Sequence, residues 1–287
     1  MKRGILMLTV LGLILTACAS DDTGGDGGEE SCAKEDLNLV TPGVLTIATG
    51  EPAFPPWVGT TDGEAFDQPE SGIGFEAALA YEIADGLGFT NEEVTWVRTD
   101  FNEAIAVGPK TFDFNLQQYS ITAERDDVVD FSEPYYVTNQ ALVGLSDSPV
   151  ASATSIADLK AYNLGAQIGT TSFEYIEEVI QPDTPASAYD TNADAKSAID
   201  AGQLDAIVFD LPTAYFVTAV ELEGVQIIGV LPAEEDKADQ FGLLFEDGNP
   251  LKACVDAVIV DLRAEGTLDS LAEEWLAGAS DIPILSK

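Results

Sequence analysis

Three cysteines, Cys18, Cys32 and Cys254, carry the most specific chemistry in this 287-residue chain, and histidine is absent. Three thiolates cannot complete a four-thiolate zinc site or an iron–sulfur cluster within one chain. Without imidazole, neither a Ser-His-Asp or Cys-His hydrolase nor a His-ligated metal centre can be built. No metal and no cofactor is therefore expected. Gly72-Ile73-Gly74-Phe75-Glu76-Ala77 matches the GxGxxA dinucleotide pattern. It follows a polar loop rather than a buried strand, so the context that pattern needs is missing. Gly169-Thr170-Thr171-Ser172 stands between an apolar run and a helical one. Backbone N–H groups and a hydroxyl at such a turn suit a carboxylate, and they equally suit a plain N-cap. Acidic residues number 51 and basic residues 12, a formal charge of −39. Nucleic acid is excluded as a partner, because phosphate binding needs cations to displace counterions. The acidic excess is compatible with salt adaptation or with colloidal solubility.

These residues need a scaffold, and 46% hydrophobic content over this length is enough for two folded domains. Residues 44–48 form a β-branched run, and the proline-rich stretch 51–57 must be a rigid loop. Phe75, Leu79, Ile83 and Leu87 recur every fourth position with acids on other faces, which predicts an amphipathic helix. Strands over 93–97 and 112–116 flank a short helix over 101–107. Residues 141–145 give a further strand. A second cycle follows. It has a capped turn at 155–159, a strand over 164–168, a helix over 173–180, an extended run at 186–189 and a helix over 193–201 capped by Asn192. Strands at 205–209 and 225–230 flank a helix over 214–222. A strand over 241–245, a helix whose apolar stripe is Leu251, Val255, Val258, Ile259 and Leu262, and another over 267–276 end the chain. The pattern predicts two α/β lobes, each a mainly parallel sheet flanked by helices. Ligands of such sheets bind beyond the carboxyl ends of strands, here in a cleft between lobes.

Lys2 and Arg3 precede an apolar run from Ile5 to Leu15, too short to span a bilayer and suited to the core of a secretory signal. Leu15-Thr16-Ala17-Cys18 resembles the lipobox of bacterial lipoproteins, which makes 1–17 a signal peptide and Cys18 the lipidated first residue. Residues 18–31 are Gly- and acid-rich and read as a flexible tether. Outside the cytoplasm the remaining pair, Cys32 and Cys254, suggests a disulfide, although two separate thiols remain an alternative.

Six segments in order then resemble the family 3 extracellular solute-binding proteins, the amino-acid receptors of ABC importers. The most specific runs from Ser120-Ile121-Thr122-Ala123-Glu124-Arg125 to Val129-Asp130-Phe131-Ser132-Glu133-Pro134-Tyr135-Tyr136. The others are Glu51-Pro52-Ala53-Phe54-Pro55-Pro56, Gly74-Phe75-Glu76, Gly169-Thr170-Thr171-Ser172, Leu204-Asp205-Ala206-Ile207-Val208-Phe209-Asp210 and Arg263-Ala264-Glu265-Gly266-Thr267. The resemblance covers residues 44–276 and implies the two-lobed periplasmic-binding-protein fold of type II. Lobe 1 would be 32–141 plus 238–287, and lobe 2 would be 142–237. It assigns Arg125 to the ligand carboxylate, a contact a guanidinium makes bidentately. Pairing with Asp126 or Asp127 is the alternative. It gives Thr170 and Thr171 to the same carboxylate from the other lobe. It gives Asp210, the Ser120 hydroxyl and the carbonyl of Gln118 to the ammonium, with a helix cap before Pro212 as the alternative for Asp210. Phe54 and Phe101 match walls for the ligand side chain, or else are core. Glu51 matches an acid that receptors for cationic amino acids often carry, or else is a solvated loop residue. Gln118 departs from the family's small residue, and its amide can fill space, donate to the ligand or shift specificity.

The function implied is an extracytoplasmic amino-acid-binding lipoprotein that captures a polar or cationic L-amino acid by lobe closure and delivers it to an ABC permease. It would be held at the membrane by lipid on Cys18, as a monomer. The alternative is an enzyme resembling the cyclohexadienyl dehydratases, with Glu51 as the acid. Counting Glu51 and Asp210 against Arg125 leaves the pocket one unit negative, which ranks cationic side chains first and carboxamides second.

Overall fold

The structure, a computed structural model, describes residues 31–233, 238–276 and 282–287. The signal peptide, Cys18 and most of the tether lie outside them. The first half comprises β1 (Leu45–Thr49), α1 (Phe75–Gly86), β2 (Val94–Arg98), α2 (Phe101–Ile105), β3 (Phe114–Asn115), α3 (Ala123–Asp126), β4 (Val129–Phe131) and β5 (Tyr136–Thr138). Then come β6 (Gln140–Leu145), β7 (Leu164–Gln167), α4 (Thr171–Glu174), β8 (Ser187–Tyr189), α5 (Asn192–Asp200), β9 (Ala206–Asp210), α6 (Leu211–Phe216) and β10 (Val225–Val230). The chain returns through β11 (Asp239–Phe241), β12 (Leu244–Glu246), α7 (Leu251–Glu265) and α8 (Thr267–Trp275).

One five-stranded sheet has the order β2-β1-β3-β12-β4 and the other β10-β6-β9-β7-β8. Each is mixed, with one strand running against its neighbours: β12 in the first and β6 in the second. These are the strands on which the chain enters each sheet from the other half. Between the sheets, β5 and β11 pair antiparallel, so two crossing segments hydrogen-bond side by side as a hinge.

Both faces of each sheet are covered, which is why the strands read as nearly continuous apolar runs. In β1, Leu45 and Ile47 enter a core with α1, α7 and α8, while Ala48 faces a second cluster around Phe101 and Tyr119. In the second sheet the period-two alternation sends Leu142, Ala206 and Val208 to one core and Ala141, Val143, Ile207 and Phe209 to the other. The glycine at Gly74 has a packing reason: its φ is 101°, and a Cβ there would stand 2.6 Å from the Trp57 carbonyl oxygen.

Several boundaries differ from the sequence reading. The expected strand over 241–245 is two strands, because the chain bends at Gly242-Leu243 as it leaves the hinge. The helix expected from residue 214 starts at Leu211, since Asp210 caps it and Pro212 suits its first turn. The helix expected to be capped by Asn192 is capped by Thr191, whose hydroxyl accepts from the Asp194 N–H at 3.1 Å. Residues 282–287, expected with the first lobe, pack on the second sheet. Val230 N–H donates to the Pro283 carbonyl at 2.9 Å, and Leu285 is buried in the second sheet's core. Cys32 and Cys254 form a disulfide with Cα atoms 5.5 Å apart, clamping the start of the described chain onto α7.

Candidate functional site

The cleft lies at the carboxyl ends of β1, β3, β7 and β9, as the α/β topology requires. Of the side chains singled out in the sequence, Phe54, Phe101, Gln118, Ser120, Arg125, Thr170, Thr171 and Asp210 all line it. Glu51 does not; it is exposed and outside the lining. This corrects the expected charge balance, and it removes the acid on which the dehydratase alternative rests.

Arg125 is 7% exposed, held on α3, whose first turn is capped by the Thr122 hydroxyl. Its guanidinium donates to the Ser120 carbonyl at 2.6 Å and to the Gly169 carbonyl at 2.9 Å. These take two of the five N–H groups an arginine offers. The Phe101 ring, stacked on Tyr119 with centroids 4.7 Å apart, lies 5.5 Å from the guanidinium carbon. Burial lowers the arginine's pKa, against the opposing charge of Glu174.

Asp210 caps a helix, one of the two readings the sequence left open, and it also lines the cleft. One carboxylate oxygen accepts from the Thr213 N–H at 3.0 Å, capping α6, and the side chain still faces the cleft. Burial raises its pKa to about 6, opposed by the hydrogen bonds from Thr213. Thr170 caps α4, accepting from the Phe173 N–H at 3.1 Å and donating to the Gln167 carbonyl at 2.6 Å, so its hydroxyl is already engaged. Thr171 meets the Ser120 hydroxyl at 3.2 Å and the Asp239 carboxylate at 3.0 Å.

Gln118 sits in the left-handed region at φ 53°, a conformation that costs a non-glycine residue free energy. Glu76 of α1, 1% exposed, holds it there: one carboxylate oxygen accepts from the Gln118 N–H at 2.9 Å, and the other accepts from its side-chain amide. Tyr135 donates a third hydrogen bond to Glu76. Burial raises the Glu76 pKa to about 7, with these donors pulling the other way. The amide of Gln118 is thus spent on Glu76.

Other lining residues escaped sequence reasoning. Gln117, Gln140, Gln167 and Asn192 bring four further amides to the cleft. Gln140 donates to Asp239 at 2.5 Å, beside the hinge. Trp57 donates across the cleft from its indole nitrogen to the Thr213 hydroxyl at 3.0 Å. That bond, the Arg125–Gly169 bond and the Ser120–Thr171 contact tie the two halves together. Nothing in the spacing of these residues marks them, because they meet only when the strand ends are brought together.

The sequence profile of the bacterial extracellular solute-binding proteins, family 3, matches residues 47–278. The arginine-binding extracellular protein ArtP of Bacillus subtilis (strain 168) is 26% identical over 289 aligned residues, covering 97% of this chain and 99% of that relative. A probable histidine-binding protein of Campylobacter jejuni is 28% identical over 274 residues, covering 94% and 96%. Among solved structures, an ancestral arginine-binding protein bound to glutamine superposes with a TM-score of 0.68 at 28% identity, covering 83% of this chain and all of that one.

Proposed function

Because this chain belongs to the bacterial extracellular solute-binding proteins, family 3, we propose that it captures a polar or cationic L-amino acid in the cleft and hands it to an ABC permease. It acts as a binding protein rather than an enzyme. The observation that carries the reading is the pairing of Arg125 and Asp210, the charged side chains among the described lining residues. An α-amino acid presents one carboxylate and one ammonium, and a buried cation with a half-buried anion in one cleft match that pattern. Arg125 would take the carboxylate together with Thr171. Asp210 would take the ammonium together with the Ser120 hydroxyl and the Gln118 carbonyl. Phe54 and Phe101 would flank the side chain. The lobes, 32–141 with the returning helices and 142–233, would close because only a ligand spanning both walls engages Arg125 and Asp210 together.

Calorimetric titration with the twenty amino acids tests the reading. Asp210→Asn is expected to weaken binding of the preferred amino acid by at least about tenfold, as loss of a charge-assisted hydrogen bond does. For the wild type, affinity should fall as the pH drops below about 6, where Asp210 takes up a proton that the ligand's ammonium must displace. Equal affinity of the mutant for the free and the N-acetylated amino acid, at the wild-type level, would remove Asp210 from this role.

The membrane anchor is part of the same proposal. The Leu15-Thr16-Ala17-Cys18 segment supports lipidation of Cys18, leaving the binding body on the outer face of the membrane on a short tether. Cys18→Ser is expected to move the protein from the membrane fraction into the medium. Retention of the variant in the membrane fraction would show that another element holds it.

A further inference from the structure

We infer that the cleft selects a ligand side chain carrying a carboxamide, as in glutamine or asparagine, because Gln117 and Gln167 aim fixed amide donors into it. This rests on the proposal that Arg125 and Asp210 hold the amino-acid backbone, and it concerns only what lies beyond.

An amide side chain is ordinarily neutral about direction, since it can present either its oxygen or its nitrogen. Here both glutamines are oriented by their neighbours. The Gln167 oxygen accepts the main-chain N–H of Asn192 at 3.1 Å. A main-chain N–H can only donate, so the oxygen must face it, and the NH₂ group must face away. The Gln117 oxygen accepts the Tyr119 hydroxyl at 2.8 Å, while that hydroxyl accepts from the Asn115 amide at 3.2 Å. Of the two acceptors within its reach, Gln117 at 2.8 Å and the Phe101 carbonyl at 3.5 Å, the nearer takes its proton. The Gln117 nitrogen then lies against Gly50, where a Cβ would approach it to 2.7 Å, and both residues line the cleft. The cleft thus offers donors from two amides whose oxygens are already in use. A guanidinium or ammonium brings only further donors, which neither of these two amides can accept. A side-chain carbonyl oxygen is a partner that either donor can use.

Two observations separate a carboxamide from a carboxylate and from a cation. Asn192, the first residue of α5, lines the same cleft with a side-chain amide that makes no hydrogen bond among the described residues. It can accept from a ligand NH₂, which a carboxylate lacks. Lys196 Nζ stands 5.5 Å from the centre of the Phe54 ring, so a fixed cation already occupies the neighbourhood of that wall. It is paired to Glu221 at 2.6 Å and is not left to balance a second anion. With Arg125 and Asp210 offsetting each other and Glu51 outside the lining, the cleft carries no formal charge to spare for an ionised side chain.

Titrations of the purified protein with L-glutamine, L-asparagine, L-glutamate, L-arginine and L-lysine decide the point. Glutamine or asparagine is expected to bind at least about tenfold more tightly than arginine, lysine or glutamate. Arginine, lysine or glutamate binding as tightly as the better amide would overturn the inference while leaving amino-acid capture intact. Binding of none of the twenty amino acids would overturn both. Gln167→Glu and, separately, Gln117→Glu keep the oxygen that serves Asn192 or Tyr119 and replace the donor by an acceptor. Either variant is expected to shift the glutamine-to-arginine affinity ratio by at least about tenfold toward arginine. An unchanged ratio in folded variants of both positions would rule out the donor assignment.

Discussion

Arg125→Ala is expected to cost about 2–5 kcal/mol of binding free energy, roughly a thirtyfold to several-thousandfold loss of affinity for the preferred amino acid. The size of the effect follows from burial. A guanidinium 7% exposed pairs with its anion largely out of water, so the ligand carboxylate would be left desolvated without a partner. The variant also removes the donors to the Ser120 and Gly169 carbonyls, the second of which spans the cleft. The free protein should therefore close less readily, adding to the loss. The fold should survive, because α3 is capped by Thr122 through main-chain hydrogen bonding that does not involve the guanidinium. Calorimetry beside a thermal melt checks both parts. Wild-type affinity in a folded variant would take Arg125 out of the site, and a collapsed melt would show a mainly structural role. Arg125→Lys should recover little, since an ammonium cannot reproduce the planar two-pronged contact.

The sequence carried the elements and many of the side chains that line the cleft, for identifiable reasons. Phe75, Leu79 and Ile83 fix the buried face of α1 by their spacing alone, and β10 was legible over its full length because both ends carry turn signals. Arg125, Asp210 and Thr171 were found through segments that resemble a family, which is how residues far apart in the chain could be placed in one cleft. Glu51 failed for the same reason: a motif fixes its position in the chain but not the direction of its side chain, which here points to solvent. Gln117, Gln167 and Asn192 gave no signal, because an amide's orientation depends on partners such as Tyr119 that no local pattern encodes. Glu76 lay within the recognised Gly74-Phe75-Glu76 segment, yet its grip on Gln118 joins positions 42 apart. The reversed strands β6 and β12 were equally hidden. Hydropathy gives the same run whichever way a buried strand points.

Cys32→Ser is expected to lower the thermal midpoint by roughly 5–15 °C, the range given by a staple worth about 2–4 kcal/mol in a body of this size. The two cysteines are 222 positions apart. The chain-entropy model puts a loop of that length at about 5 kcal/mol, and real disulfides usually deliver less. Cys32 is the position to change, because it is exposed while Cys254 is buried in the first core. Replacing Cys254 would mix loss of the crosslink with a packing defect. The bond ties the segment at Cys32 to α7, and neither cysteine lines the cleft. It constrains the unfolded chain without bridging the two halves that must move to admit a ligand. Affinity measured by calorimetry should therefore change by less than about threefold while the melt shifts, in accordance with independence of distant sites. An unchanged midpoint would mean that the crosslink restrains little in the unfolded chain. A large change in affinity with reduction would mean that the clamp on α7 is felt at the cleft, and the separation of stability from binding argued from its position would fall.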